Sequence, residues 1–331
     1  MITDPSWKSS AAKRRNKHSA NTTTDQHMNR RHFLSLTAAS LGAPAASAIE
    51  PLVRPGNSRL VLGLAAYSFR NRMRWMKGKE QKNAGEKPWS IFDFIDYCAN
   101  QGGIGAELTS YFFPPNPDED FLLRVKRHAY LRGVAIAGTA VGNTFTHPTG
   151  PERDAQIAYV KEWIDHAAVM GAPHIRVFAG SVPKGLSEEQ AVANCISAYQ
   201  ECLDYAGERG IFLGLENHHG IVAKPEGLLR IIKAVKSPWA GVNLDSGNFH
   251  TADPYADLAK IAPYAINVQV KDTLKPAGKD PEPMDYTRVI SILEKANYQG
   301  WLTLEYEDGK DAGTAVPALL EKLSGLITRP S

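Results

Sequence analysis

A single closed (β/α)8 barrel, a TIM barrel, is the fold this sequence predicts for residues 49–331. Three observations lead there. From residue 59 onward, eight short apolar runs alternate with eight longer amphipathic stretches. The short runs are apolar almost throughout rather than at every second residue, which marks strands buried on both faces and hence a parallel sheet. Eight such units in about 270 residues match a closed barrel in number and size. The rival, an open doubly wound sheet, normally carries a glycine-rich phosphate loop after its first strand. Here that position reads Ala65-Ala66-Tyr67-Ser68.

Taken in order, the first strand falls at 60–66. The segment 70–88 after it carries Arg70, Arg72, Arg74, Lys77, Lys79, Lys82 and Lys87, with Met73, Trp75 and Met76 among them. Following a barrel strand, it lies on the face where such barrels place their functional loops, as a lid or contact loop. Pro88-Trp89-Ser90 opens a helix over 90–101, with Ser90 as its cap. Strands at 105–109, 134–140, 174–179, 211–216, 241–245, 265–270 and 301–306 then alternate with further helices. These lie near 118–132, 152–170, 187–209, 225–236, 254–262, 285–296 and 314–327. Ser187 precedes Glu188 and Glu189, acids suited to a first helical turn. Asp253-Pro254 and Asp285 are start signals too. Gly133, Gly171 and Gly210 each stand between a helix and a strand, where a terminating glycine belongs.

Residues 1–48 are set apart. Arg30-Arg31-His32-Phe33-Leu34 leads into a short apolar run that ends Ala46-Ser47-Ala48. Paired arginines, a weakly apolar stretch and a small-x-small end read as a twin-arginine type of signal peptide cleaved after Ala48, with export to the periplasm. The run is too short to span a bilayer, and no cysteine stands at the cleavage point, so no stable membrane anchor is expected. Residues 1–27 read as a polar extension, with Met28 as an alternative start.

The chain of 331 residues has 38 Lys and Arg against 35 Asp and Glu. Seven of the basic and two of the acidic residues lie in 1–48, leaving 31 against 33 and a net charge of −2 in the barrel. That balance excludes a nucleic-acid partner recognised through phosphate neutralisation. Three cysteines make no disulfide framework. Cys195 and Cys202, seven residues apart on one helix, are too far apart to bridge.

Chemistry is expected at the C-terminal ends of the strands, which meet in one mouth. The fifth to eighth strands end in Glu216, Asp245, Gln269 and Glu305. Burying such a cluster without a counter-charge is costly, and like charges raise one another's pKa. A divalent cation answers both. Three carboxylates and an amide oxygen are hard ligands suited to Mn2+ or Mg2+. Glu107, His147, Arg176, His218 and Lys271 stand nearby as substrate-binding candidates. Several of the site residues have a plainer reading: Glu107 as a paired structural acid, Arg176 as a wall salt bridge, His218 as a loop histidine, Asp245 as a turn cap, Gln269 as a hydrogen-bond donor behind the ligands. Glu307 points the same way as Glu305 but lies further along the chain, and ranks below it.

The runs Leu215-Glu216-Asn217-His218, Asn243-Leu244-Asp245-Ser246-Gly247-Asn248, Val268-Gln269-Val270-Lys271-Asp272 and Leu304-Glu305-Tyr306-Glu307 together resemble the xylose-isomerase-like superfamily. The resemblance covers about 59–327. It is nearest to the sugar phosphate isomerase/epimerase branch, which includes ketose 3-epimerases and inosose dehydratase. It implies one divalent metal held by a Glu, an Asp, a His and a second Glu, the two glutamates also acting as the acid–base pair. By motif these are Glu216, Asp245 and Glu305, with Gln269 standing where the family has its His. Asn248, a further substrate-binding candidate, stands where a second His follows the metal Asp. The missing imidazoles weigh against a standard ketose epimerase and against the related zinc-dependent endonuclease barrels.

The expected activity is that of a metal-dependent isomerase or epimerase of a small-molecule carbohydrate. The metal polarises a carbonyl, and Glu216 and Glu305 move a proton through an enediolate. Export favours a free sugar, a keto-sugar or an oxidised glycoside over a sugar phosphate. Trp75, Trp89 and Tyr111 are candidates for stacking on the ring. A lyase or dehydratase acting on a 3-keto-sugar uses the same residues, and a non-catalytic carbohydrate-binding barrel is a third reading. A homo-oligomer stays open.

Overall fold

A computed structural model describes residues 49–309 and 311–327. The expected extension and export signal at 1–48 lie outside the described residues. Eight parallel strands close into a barrel in chain order: β1 (Arg59–Ala65), β2 (Gly105–Thr109), β3 (Ile136–Ala140), β4 (His174–Val177), β5 (Phe212–Glu216), β6 (Ala240–Asp245), β7 (Ala265–Val270) and β8 (Gln299–Leu304). The ring closes where β1 pairs with β8, Leu62 beside Leu302, and with β2, Ala65 beside Glu107. Each strand is followed by a helix: α1 (Ile91–Asn100), α2 (Glu119–Leu131), α3 (Pro151–Met170), α4 (Glu188–Gly207), α5 (Pro225–Ile232), α6 (Pro254–Ile261), α7 (Tyr286–Lys295) and α8 (Ala312–Ile327).

Local chemistry sets the helix starts as the sequence predicts. Ser90 and Asp93 cap α1 reciprocally, and Ser187 and Gln190 do the same for α4. Asp253 and Asp285 accept from the backbone N–H groups of Ala256 and Arg288. Each cap satisfies a donor that the first turn leaves unpaired. At the other end of α3, Gly171 adopts φ +79°, a left-handed conformation that a Cβ would strain.

Two strands end two residues sooner than their apolar runs. β4 stops at Val177 because Asn143 takes over: its Oδ1 accepts from Phe178 N–H and its Nδ2 donates to Phe178 C=O, both at 2.9 Å. β8 stops at Leu304 because Tyr306 N–H turns to Ser68 Oγ, 2.9 Å away. Glu305 keeps one ladder bond, from its N–H to Val270 C=O.

Period two divides each strand. On β5 to β8, Leu215, Leu244, Val268 and Leu304 are fully buried between sheet and helices, while Glu216, Asn243, Asp245, Asn267, Gln269, Thr303 and Glu305 form the polar interior near the C-terminal mouth. Cys98, Cys195 and Cys202 are free and buried. Among the described residues no helix is long and apolar enough to cross a membrane.

The basic segment after β1 is an ordered excursion. Trp75–Met76 pairs antiparallel with Lys79–Glu80, and Gln81 Nε2 donates to the carbonyls of Arg70 and Met73. Arg72 meets Asp311 at 2.8 Å. Two of the expected stacking aromatics are committed to packing. Trp89 lies against Phe69 and Tyr97, centroids 4.8 and 5.4 Å apart, and Tyr111 is buried under the Lys77 ammonium, 4.6 Å from its ring centre.

Candidate active site

The mouth is built from neighbouring strands in register. Asp245 on β6 stands beside Gln269 on β7, and Asn243 beside Asn267 one layer below. Because β7 continues straight into Val270-Lys271, the Lys271 side chain shares a face with Gln269 and reaches β8. Asn217, directly after Glu216, clamps the end of β6: its Nδ2 donates to Asp245 C=O and its Oδ1 accepts from Asp245 N–H, both at 2.8 Å. Asp245 Oδ1 accepts from Gly247 N–H, so the turn-capping reading of this residue holds alongside any functional one.

Four carboxylates are buried here, Glu107, Glu216, Asp245 and Glu305, none more than 5% exposed. Two internal cations answer them. Arg176 Nε lies 2.9 Å from Glu216 Oε2, its Nη1 donates to Val141 C=O, and its guanidinium lies over the Phe178 ring. Lys271 Nζ lies 2.6 Å from Glu305 Oε2, 2.7 Å from Glu307 Oε2 and 3.2 Å from Asp245 Oδ2. Arg176 is thus a wall salt bridge at one carboxylate, and Lys271 is the hub of three. Asn248 Nδ2 donates to the second oxygen of Glu216 at 2.8 Å.

Deeper in the barrel an amide chain ends on Glu107. Gln269 Nε2 donates to Glu107 Oε1 at 2.7 Å, and Asn267 Nδ2 reaches Glu107 Oε2 at 3.2 Å and Asn243 Oδ1 at 2.8 Å. Asn243 Nδ2 in turn donates to Gln269 Oε1 at 2.7 Å. Glu107 accepts at both oxygens, so each amide has one consistent orientation.

Gln269 is held within that chain, its oxygen accepting from Asn243 and its nitrogen donating to Glu107, so the amide ties the barrel interior together. The remaining expected ligands are answered by ammonium or guanidinium groups. Asp245 Oδ2 is buried without a hydrogen bond, and the Lys271 ammonium faces it at 3.2 Å. Among the described residues, no group of three or more His, Cys, Asp or Glu side chains is arranged to hold a metal ion. A hard divalent ion needs several oxygen ligands at about 2.0–2.6 Å. The residues present do not fit that requirement.

Two cations against four buried acids leave protons to balance the rest. Burial, reinforced by the charge of Glu305, pushes the Glu107 carboxyl up to about 7. Burial raises Asp245 to about 7 as well, against the opposing pull of Lys271. Glu216 is raised well above the usual carboxylate range, burial outweighing Arg176. Glu305 goes the other way: burial alone would raise it, but Lys271 and Arg176 hold it below its ordinary value. Lys271 stays protonated, its three carboxylates overcoming the cost of burial.

Glu107 carries a pH signature. Its folded pKa lies above the unfolded 4.5, so between that value and about 7 the native state holds a proton that the unfolded chain has released. Its contribution to stability is full below the lower value and is lost as pH rises through the upper one. We expect wild type to lose stability relative to Glu107→Gln between about pH 5 and about pH 8 in urea unfolding. A difference independent of pH would contradict the raised carboxyl.

Of the other expected residues, His218 lies at the edge of this cluster, within reach of the charges of Arg176, Lys271 and Glu305. His218, half-buried, stacks against Phe178 with centroids 4.6 Å apart and contacts His219 through Nδ1. Burial, with the nearby His219 and Arg176, lowers it to about 4, so it is a neutral imidazole at neutral pH. His147 is half-buried in the loop after β3. A cavity of about 350 Å3, lined by His218, His219, Lys224, Asn248, His250 and Thr251 among others, opens beside Glu216. Sequence reasoning missed Asn243 and Asn267, while Glu307, ranked below Glu305, joins it at Lys271 from a more exposed position. Two asparagines inside otherwise apolar strands, each two residues before a site residue, were the available signal.

Comparisons with known proteins agree with this architecture. An uncharacterised protein of Methanocaldococcus jannaschii is 26% identical over 188 residues, which are 52% of this chain and 63% of that protein. The chain therefore spans under two thirds of that relative's length. Among solved structures, a xylose isomerase domain protein from Planctomyces limnophilus aligns with a TM-score of 0.59 at 17% identity, over 82% of this chain and 98% of its own. The 3-keto-D-glucoside 4-epimerase of E. coli aligns with a TM-score of 0.61 at 15% identity, over 81% and 100%. At these identities the likeness is one of fold. The xylose isomerase-like TIM barrel family matches residues 95–325, well over half of the sequence, and the chain belongs to that family.

Proposed function

We propose that this chain is an isomerase or epimerase that moves a proton beside the carbonyl of a free sugar, keto-sugar or oxidised glycoside. One observation carries the reading. Glu216 and Glu305 are buried in one mouth, within reach of each other's charge, and their surroundings push their pKa values in opposite directions. Such a split assigns an acid and a base. Glu305, held ionised beside Lys271, abstracts the proton. Glu216, whose carboxyl burial raises above the usual range, is the partner placed to return one from its own strand end.

The enediolate that forms carries negative charge on oxygen, and the Lys271 ammonium is a fixed donor for it. Arg176 and Asn248 hold the Glu216 carboxyl in place from two sides. Neutral His218 and Asn248 line the cavity beside the acid and suit hydroxyl recognition. The fold shared with a 3-keto-D-glucoside 4-epimerase is consistent with an oxidised glycoside as substrate. Export of the mature barrel by the twin-arginine route belongs to the same proposal and rests on Arg30-Arg31 and the Ala48 end.

A lyase is the second reading, favoured by the upward shift of the Glu216 carboxyl. The same acid can hand its proton to a departing hydroxyl or aglycone once Glu305 has taken the proton next to the carbonyl. Proton NMR in D2O separates the two on a panel of ketoses and 3-keto-glycosides. Deuterium entering beside the carbonyl with a new diastereomer or aldose supports the isomerase. A new vinyl signal with release of water or aglycone supports the lyase. Saturable sugar binding with no exchange at all would return the barrel to a binding role.

A further inference from the structure

The Lys271 ammonium has three protons, and three carboxylates surround it. Its distances to Glu305 and Glu307, 2.6 and 2.7 Å, are those of charge-assisted hydrogen bonds. The side chain is 8% exposed. It is also built into its position. Lys271 N–H donates to Ser246 Oγ at 2.9 Å, fixing the start of the side chain against the end of β6. Gly247 leaves room for the stem: a Cβ there would stand 2.7 Å from Lys271 Cγ. A divalent ion placed among Asp245, Glu305 and Glu216 would meet this ammonium on one side and the Arg176 guanidinium on the other. Were it to take Gln269 Oε1 as well, it would share that oxygen with the Asn243 amide.

We propose that the Lys271 ammonium is the resident cation of this mouth, and that the protein completes its carboxylate cluster without a divalent metal. The family resemblance implies a metal site; this chain's own residues close it. The inference concerns which cation the site holds, not which reaction follows, so it stands or falls separately from the proposed activity.

The test is metal binding. The mature barrel is stripped with chelator and titrated with Mn2+, followed by water-proton relaxation and by the melting temperature. For wild type we expect no stoichiometric Mn2+ uptake, and no shift in melting on adding Mn2+ or EDTA. Lys271→Met keeps the stem and removes the charge. It should melt lower, take up Mn2+ and regain melting temperature with it, and a further Asp245→Asn should abolish that gain. Wild type binding one equivalent of Mn2+, weakened on the order of tenfold or more by Asp245→Asn, overturns the proposal. So does a folded Lys271→Met that takes up no Mn2+. Should Lys271→Met fail to fold, the wild-type titration decides alone: binding overturns the proposal and its absence upholds it.

Discussion

Lys271→Met is expected to cost the fold about 3–5 kcal/mol, the scale for breaking a buried ion pair by removing one partner. The cost comes from what remains behind. Asp245 and Glu305 are 0% and 5% exposed, and without the ammonium each is a buried carboxylate lacking its counter-charge. Proton uptake relieves part of this. Both carboxyls would titrate higher in the variant, so the folded variant binds more protons than the unfolded chain above the ordinary carboxylate range. The loss in the urea midpoint should therefore be larger at about pH 8 than at about pH 5.5. Adding Asp245→Asn should restore part of the loss, since one stranded charge goes with it. An unfolding free energy within about 0.5 kcal/mol of wild type at both pH values would mean that Lys271 is a surface-like residue. The network drawn above would then be wrong.

The second large effect is on chemistry. Glu305→Gln keeps the shape of the side chain and removes the base. Turnover, or the rate of deuterium entry from D2O, should fall on the order of 10^2–10^4-fold, the usual share of a positioned general base or acid. Glu216→Gln should fall by a comparable factor, because an amide cannot deliver the proton. Glu307→Gln is the control. Its carboxylate touches the same ammonium, but its side chain is 40% exposed and solvent can replace it. Its effect should be far smaller. Equal losses at Glu305 and Glu307 would move the base along the chain. Undiminished exchange in Glu305→Gln would remove this residue from the mechanism.

The site was legible in part, and the reasons differ residue by residue. Glu216 and Asp245 could be read because each closes an apolar run, and a strand end in a barrel has one place to point. Glu305 could be read on the same ground, although β8 ends one residue earlier. Arg176 was visible as a polar residue in a buried strand, but its partner was not. The pairing with Glu216 crosses from β4 to β5, and no sequence spacing encodes it. For Gln269 the sequence left two readings side by side, because a metal ligand and a structural amide look alike in one dimension. Its role turns on which neighbour claims its oxygen, and that neighbour is Asn243, 26 residues away.

Taken by itself, the sequence determined the alternation of eight strands and eight helices, the caps at Ser90 and Ser187, and the end of the barrel where the acids collect. These follow from periodicity, capping and chain direction, all local properties. Only the tertiary structure decided how the acids are neutralised. Lys271 meets Glu305 and Glu307 across 34 and 36 residues because β7 and β8 are neighbours in register. Residue types can announce that a buried cluster of carboxylates needs a cation. Whether that cation is borrowed from solution or supplied by the chain depends on distances of a few ångströms between strands, which only the closed barrel sets.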